Sequence, residues 1–130
     1  MACTKNTLAA CLFILLWACT KQASDDQLGT AFFEVDGNPE AVMQFNKGLL
    51  LLHSFEFKDA AEAFVEAQQL DPGIAMAYWG EAMTYNHPLW AEQDYDKAIV
   101  ALKKLAPTTA ERLAKTKNEL EADFMKAVDI

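Results

Sequence analysis

Residues 45–72, FNKGLLLLHSFEFKDAAEAFVEAQQLDP, decide the fold. The segment from Ala41 to His53 carries Val42, Phe45, Leu49 and Leu52 at helical spacing, with Leu50 and Leu51 on the neighbouring row. So wide an apolar face needs a partner to cover it. The partner follows at once. After SFEF the pattern resumes with Ala60, Ala63, Phe64, Ala67 and Leu70 on one side and Glu62, Glu66 and Gln69 on the other. Two amphipathic helices joined by a short link form an antiparallel hairpin. The start is signalled by Asn38-Pro39-Glu40: Asn caps the first free amides, Pro suits the first helical position, and Glu sits at the positive end of the dipole. The stop is Asp71-Pro72-Gly73.

Small residues, Gly48 in the first helix and Ala60 and Ala67 in the second, fall where the two backbones approach, with Phe64 between the two alanines and Pro72 closing the unit. This spacing resembles the tetratricopeptide repeat, whose pattern is a Leu-Gly pair flanked by aromatics in the first helix, Ala-x-x-x-Phe in the second, and a closing Pro. The chain departs from it at Gln44 and Lys47, which stand where the pattern prefers Trp and Leu, and at Leu51, which replaces an aromatic. A second unit follows. Ile74 to Tyr85, IAMAYWGEAMTY, is apolar nearly all round and predicts a helix covered on more than one side. Tyr78 and Ala82 lie 34 residues after Gln44 and Gly48, which is the period of the repeat. The second helix of this unit, DYDKAIVALKKLAP, places Ala98 38 residues after Ala60, so four extra residues sit in the loop NHPLWAEQ.

The resemblance implies an all-α fold in which antiparallel helix hairpins stack as a short α-solenoid over residues 38–106. It also implies binding of a protein or peptide, with Gln44, Lys47, Tyr78, Glu81 and Tyr85 lining the concave face. The inserted loop adds two candidates, His87 and Trp90. They either line a binding groove or fold back over the end of the hairpin. Glu81 stands alone in an apolar helix and is unfavourable to bury unpaired, so it either bonds across the hairpin, for example to His87 or Trp90, or marks the groove.

Residues 107–130 predict a further helix, opened by a capping box of Thr108 and Glu111 and carrying Leu113, Leu120, Phe124 and Val128 as its apolar stripe. Repeat arrays generally need about three units and a polar end cap. The expectation is therefore that this helix begins a third unit of a longer protein; the alternative is that it is itself the cap.

The amino terminus reads as a signal peptide, residues 1–18: one Lys5, then an apolar run from Leu8 to Ala18 too short to span a bilayer stably. Leu16-Trp17-Ala18-Cys19 resembles the lipobox of bacterial lipoproteins, in which the Cys is acylated after cleavage. Secretion with cleavage near Ala23 or Ser24 is the alternative. Residues 19–37 then form the lipidated Cys and its tether, with Phe32 and Phe33 docking on the first repeat helix. Thr20 stands where an Asp favours inner-membrane retention, so the expected place is the outer membrane, facing the periplasm. All three cysteines, Cys3, Cys11 and Cys19, lie at or before the cut, which leaves no thiol chemistry to the mature chain. Without Lys5 the chain carries 10 basic against 19 acidic residues, net −9, a surface that repels nucleic acid.

No catalytic pattern emerges. His53 and His87 belong to no metal-ligand spacing, and there is no GxSxG, no glycine-rich phosphate loop and no cofactor motif. Glu62 and Glu66, one turn apart, fit a solvated face. The reading is a non-enzymatic cell-envelope scaffold that binds a protein or peptide. The alternative is the repeat region of a longer protein whose carboxy-terminal part binds a ligand or carries catalysis.

Overall fold

The computed structural model describes residues 28–31 and 33–128, so the expected signal peptide, Cys19, most of the tether and Phe32 lie outside the described residues. Within them the chain is mostly helical. Helix α1 spans Pro39–His53, α2 Phe57–Leu70, α3 Ala75–Met83, α4 Tyr95–Leu105, α5 Thr109–Leu113 and α6 Glu119–Val128. The α1–α2 and α3–α4 pairs pack most extensively, and α3 also meets α1, α2 and α6.

Helix α1 begins where the sequence places it. The Asn38 side chain accepts from the Glu40 amide at 2.9 Å, with Pro39 in the first turn. Asp71 ties this start to the α2–α3 turn, accepting at 2.9 Å from the Asn38 amide and at 2.9 Å from the Gly73 amide. Those two backbone donors, Asn38 first, hold the Asp71 carboxyl below its ordinary value of 3.8 against the opposing effect of partial burial, and the Lys117 charge assists them. A carboxyl with a lower pKa folded than unfolded adds stability above pH 3.8, and that stability is lost as pH falls through the folded value. The expected result is that Asp71→Ala is less stable than the parent at pH 6 and that the gap narrows below pH 3.8, as read by urea denaturation across pH. A constant gap would mean that the carboxylate's hydrogen bonds do not act in folding.

The core is built around Phe64 of α2, which is fully buried. A methyl at Gly48 of α1 would lie 2.8 Å from its ring, and one at Gly80 of α3 would overlap it further. The ring also meets Phe45 of α1, centroid to centroid, at 5.8 Å. Helices α1 and α3 thus approach α2 on either side of one aromatic ring.

Two segments outside the hairpins cover α1 and α3. The extended Phe33 meets Phe45 at 5.8 Å and Phe124 of α6 at 5.4 Å, and Phe124 in turn meets Trp79 of α3 at 5.2 Å, each pair tilted steeply toward edge-to-face. Lys117 Nζ donates to the Asp36 carbonyl at 2.7 Å and clips the two segments together. The docking expected of Phe33 is therefore present.

Three local features differ from the sequence-based expectation. The helix expected over Ile74 to Tyr85 is shorter, because Thr84 Oγ1 turns back to donate to the Glu81 carbonyl at 2.7 Å and the chain leaves α3 there. The NHPLWAEQ loop contains a small antiparallel sheet, β1 Asn86–His87 against β2 Glu92–Gln93, closed by a 3₁₀ turn over Pro88–Trp90. The segment expected as one final helix is two, α5 and α6. No large apolar residue lies between Leu113 and Leu120 to hold a turn against the core, and Asn118 starts a new helix by accepting from the Glu121 amide at 2.9 Å. Glu121, itself buried, accepts from the Lys117 amide at 2.9 Å. The Thr108–Glu111 capping box is present as expected.

Candidate functional site

An apolar pocket of about 430 Å³ lies between α1, α3, α6 and the β1–β2 hairpin. Leu49 and Leu52 of α1, Trp79 and Met83 of α3, Phe124 of α6 and Phe33 form its walls. Asn86 and His53 supply its polar edge. A second apolar hollow of about 420 Å³ shares Trp79, Met83, Asn86 and Phe124 with it and reaches Tyr85 and Tyr95. Volumes of this size accept small molecules or side chains of a peptide.

One lip of the first pocket is aromatic. Phe55 and Phe57 line it, and Trp90 packs on both at 6.3 and 6.1 Å with planes inclined at 73° and 80°. Phe55 and Phe57 meet at 6.2 Å, and His87 stacks on Phe57 at 4.2 Å. Trp90 remains 57% exposed, Phe55 47% and Leu89 68%, an apolar surface that the other described residues leave open.

The backbone holds Phe55 in an unusual way. The end of α1 is a Schellman turn: the Phe55 amide donates to the Leu52 carbonyl at 3.2 Å and the Glu56 amide to the Leu51 carbonyl at 3.0 Å. The residue at its left-handed position is ordinarily Gly, yet here it is Phe, at φ 63°. Ala91, directly after Trp90, is also left-handed, at φ 54°. Both non-glycine left-handed residues among the described ones thus belong to or adjoin this aromatic lip.

The structure distributes the sequence-predicted site residues in three ways. Tyr85, His87 and Trp90 come together at the hairpin. His87 Nε2 lies 2.9 Å from the Thr84 carbonyl, an arrangement that makes this nitrogen the donor, and its Nδ1 faces Glu92 at 3.8 Å. Lys97 Nζ stands 5.9 Å from the Tyr85 ring centre while pairing with Asp94. Tyr78 and Glu81 are instead buried. The Tyr78 hydroxyl donates to the Pro72 carbonyl at 3.3 Å, and burial, with the Glu81 and Asp71 charges, raises its pKa. Glu81 is bonded to Gln68 and Lys104, not to His87 or Trp90. Gln44 and Lys47 are half-buried on α1 and line neither pocket. The Gln44 side-chain oxygen is shielded and accepts no hydrogen bond among the described residues.

The site residues that the sequence reading passes over are Phe55, Phe57, Trp79, Asn86 and Phe124. A signal existed for the first two, because SFEF places two aromatics in a helix–helix turn where polar residues are usual. The described residues hold no group of three or more His, Cys, Asp or Glu side chains placed for a metal ion. What the arrangement offers chemically is apolar and aromatic contact with a few polar edges.

The fold is a mostly helical assembly of packed helix pairs with one minimal sheet. No family model matches the chain, and neither the curated proteins nor the solved structures yield a match.

Proposed function

We propose that this chain is a non-enzymatic helical-repeat module of tetratricopeptide type that holds a segment of a protein or peptide, anchored in the cell envelope through an acylated Cys19. The observation that carries the binding reading is the apolar pocket of about 430 Å³ beneath an exposed aromatic lip. Support for the repeat reading comes from pairs 34 residues apart. Phe45 and Trp79 hold equivalent places on α1 and α3, and each receives an aromatic ring from outside the hairpins, Phe33 on the first and Phe124 on the second. The anchor and the outer-membrane location rest on residues 16–20 alone.

The test is selection from a random dodecapeptide library on the immobilised full chain. An enriched peptide, labelled with fluorescein, is expected to bind with a Kd of roughly micromolar order. Leu52→Gln places a polar group on the pocket wall and is expected to weaken binding about tenfold, read by fluorescence polarisation, because the peptide's apolar side chain then meets an unsatisfied amide. Absence of enrichment over a blocked surface overturns the reading.

A further inference from the structure

We propose that the segment held at this site is cationic: a Lys or Arg side chain lies against the exposed faces of Trp90 and Phe55 while a neighbouring apolar residue enters the pocket beside Phe57. This rests on the peptide-binding reading above and names the chemistry of its ligand.

Three observations converge on it. First, Trp90, Phe55 and Phe57 form a triangle with centroid separations of 6.1–6.3 Å and planes inclined at 66–80°. Each edge-to-face contact engages one ring face, and the high exposure of Trp90 and Phe55 leaves further π surface to solvent. The face of an aromatic ring carries negative potential and attracts a cation within about 6 Å of its centre, tryptophan most strongly.

Second, the charge around the lip is complementary. Glu56 lies exposed between Phe55 and Phe57 and makes no side-chain cap to α2. The Glu92 side chain is 73% exposed beside His87, and the chain as a whole carries a net charge of −8. The nearest lysine in sequence, Lys58, pairs with Glu62 at 3.8 Å. An acidic peptide would meet like charge here, whereas a cationic one is attracted.

Third, the fold holds this aromatic surface by means of backbone that opposes it. Phe55 occupies the left-handed position of a Schellman turn where Gly would relieve the strain, and its ring is nearly half exposed. That backbone keeps the Phe55 ring at the surface against Phe57 and Trp90, outside the buried core.

The experiment uses the peptide pool enriched on the full chain. Lys or Arg beside Leu, Ile or Pro is expected in the enriched sequences. Replacing that Arg by citrulline, which keeps the shape and removes the charge, is expected to lower affinity about 5- to 10-fold. Trp90→Ala is expected to abolish the difference between the arginine and citrulline peptides. Phe55→Gly separates contact from structure: relief of the left-handed backbone offsets the lost ring contacts, so Tm stays within about 3 °C while the arginine peptide loses about tenfold in affinity. Equal binding of the two peptides overturns the cationic ligand and leaves the peptide-binding reading standing. Failure to enrich any peptide overturns that reading instead. Sedimentation of a dimer that Trp90→Ala dissociates would make a second copy of this chain the occupant and overturn the inference.

Discussion

Phe64→Ala is expected to destabilise the chain by about 3–5 kcal/mol, the range for a large aromatic removed from a core that cannot collapse around the loss. The ring is fully buried, and the backbones at Gly48 and Gly80 press on it from two helices. Nothing larger than hydrogen stands at those two positions to fill the void. At about 4–8 °C per kcal/mol for a domain of this order, Tm is expected to fall by roughly 12–40 °C. The reciprocal change is Gly80→Ala. A methyl there gains about 1 kcal/mol of helix propensity but would overlap a ring that α1 blocks from retreating. Overpacking at the upper end of about 1–3 kcal/mol or beyond outweighs that gain, so the net effect is a clear loss. Phe64→Leu frees space on the Gly80 side, so Phe64→Leu combined with Gly80→Ala is expected to be more stable than the sum of the single changes predicts. Urea denaturation followed by circular dichroism reads all four proteins. Strict additivity would show that the ring is not clamped between α1 and α3.

The α1 half of the clamp was legible in the sequence because its parts lie at fixed helical spacing: Gly48 marks where α1 comes close, and Ala60, Phe64 and Ala67 share one side of α2. The approach of Gly80 to the same ring joins two helices across a turn and was not legible. The start of α1 was legible for a similar reason, since a cap is a local device. The aromatic lip was not, because Phe55 and Trp90 are 35 residues apart and meet only when the β1–β2 hairpin folds toward the α1–α2 turn. Its strained backbone was hidden too. A left-handed position is read from Gly or Asn, and here the residue is Phe. The break between α5 and α6 carried a usable signal, Asn118 followed three residues later by Glu121, but the stripe from Leu113 to Leu120 is spaced at seven and passes for continuous helix. Periodicity reports which residues share a face; it does not report that the turn between them has been unwound.

Lys104→Met is expected to cost about 2–3 kcal/mol, somewhat less than a fully enclosed broken ion pair, because the lysine side chain is 44% exposed and water partly reaches the gap. Its partner Glu81 is 3% exposed and holds three helices together: Oε2 accepts from Gln68 Nε2 of α2 at 2.8 Å, and Oε1 accepts from Lys104 Nζ of α4 at 2.5 Å. Gln68 Nε2 also reaches the Ala77 carbonyl at 3.2 Å. The sequence singled out Glu81 as a carboxylate unfavourable to bury alone, and the structure supplies its partners from the neighbouring helices. Those bonds matter beyond their energy. Helix α3 is apolar nearly all round, so apolar burial alone sets its rotation weakly, whereas one buried carboxylate answered from both sides fixes which face turns toward the pocket. Trp79 and Met83 lie on that face. Lys104→Arg, which keeps the charge, is expected to stay within about 1 kcal/mol of the parent. Replacing the whole network, Glu81→Leu with Gln68→Leu and Lys104→Met, is expected to recover Tm, because buried networks exchanged for apolar groups are often neutral. The same triple variant is expected to lose near-ultraviolet circular dichroism from Trp79 and to bind enriched peptides more weakly. A triple variant with parental dichroism and parental affinity would show that packing alone orients α3 and that the carboxylate has no part in shaping the pocket.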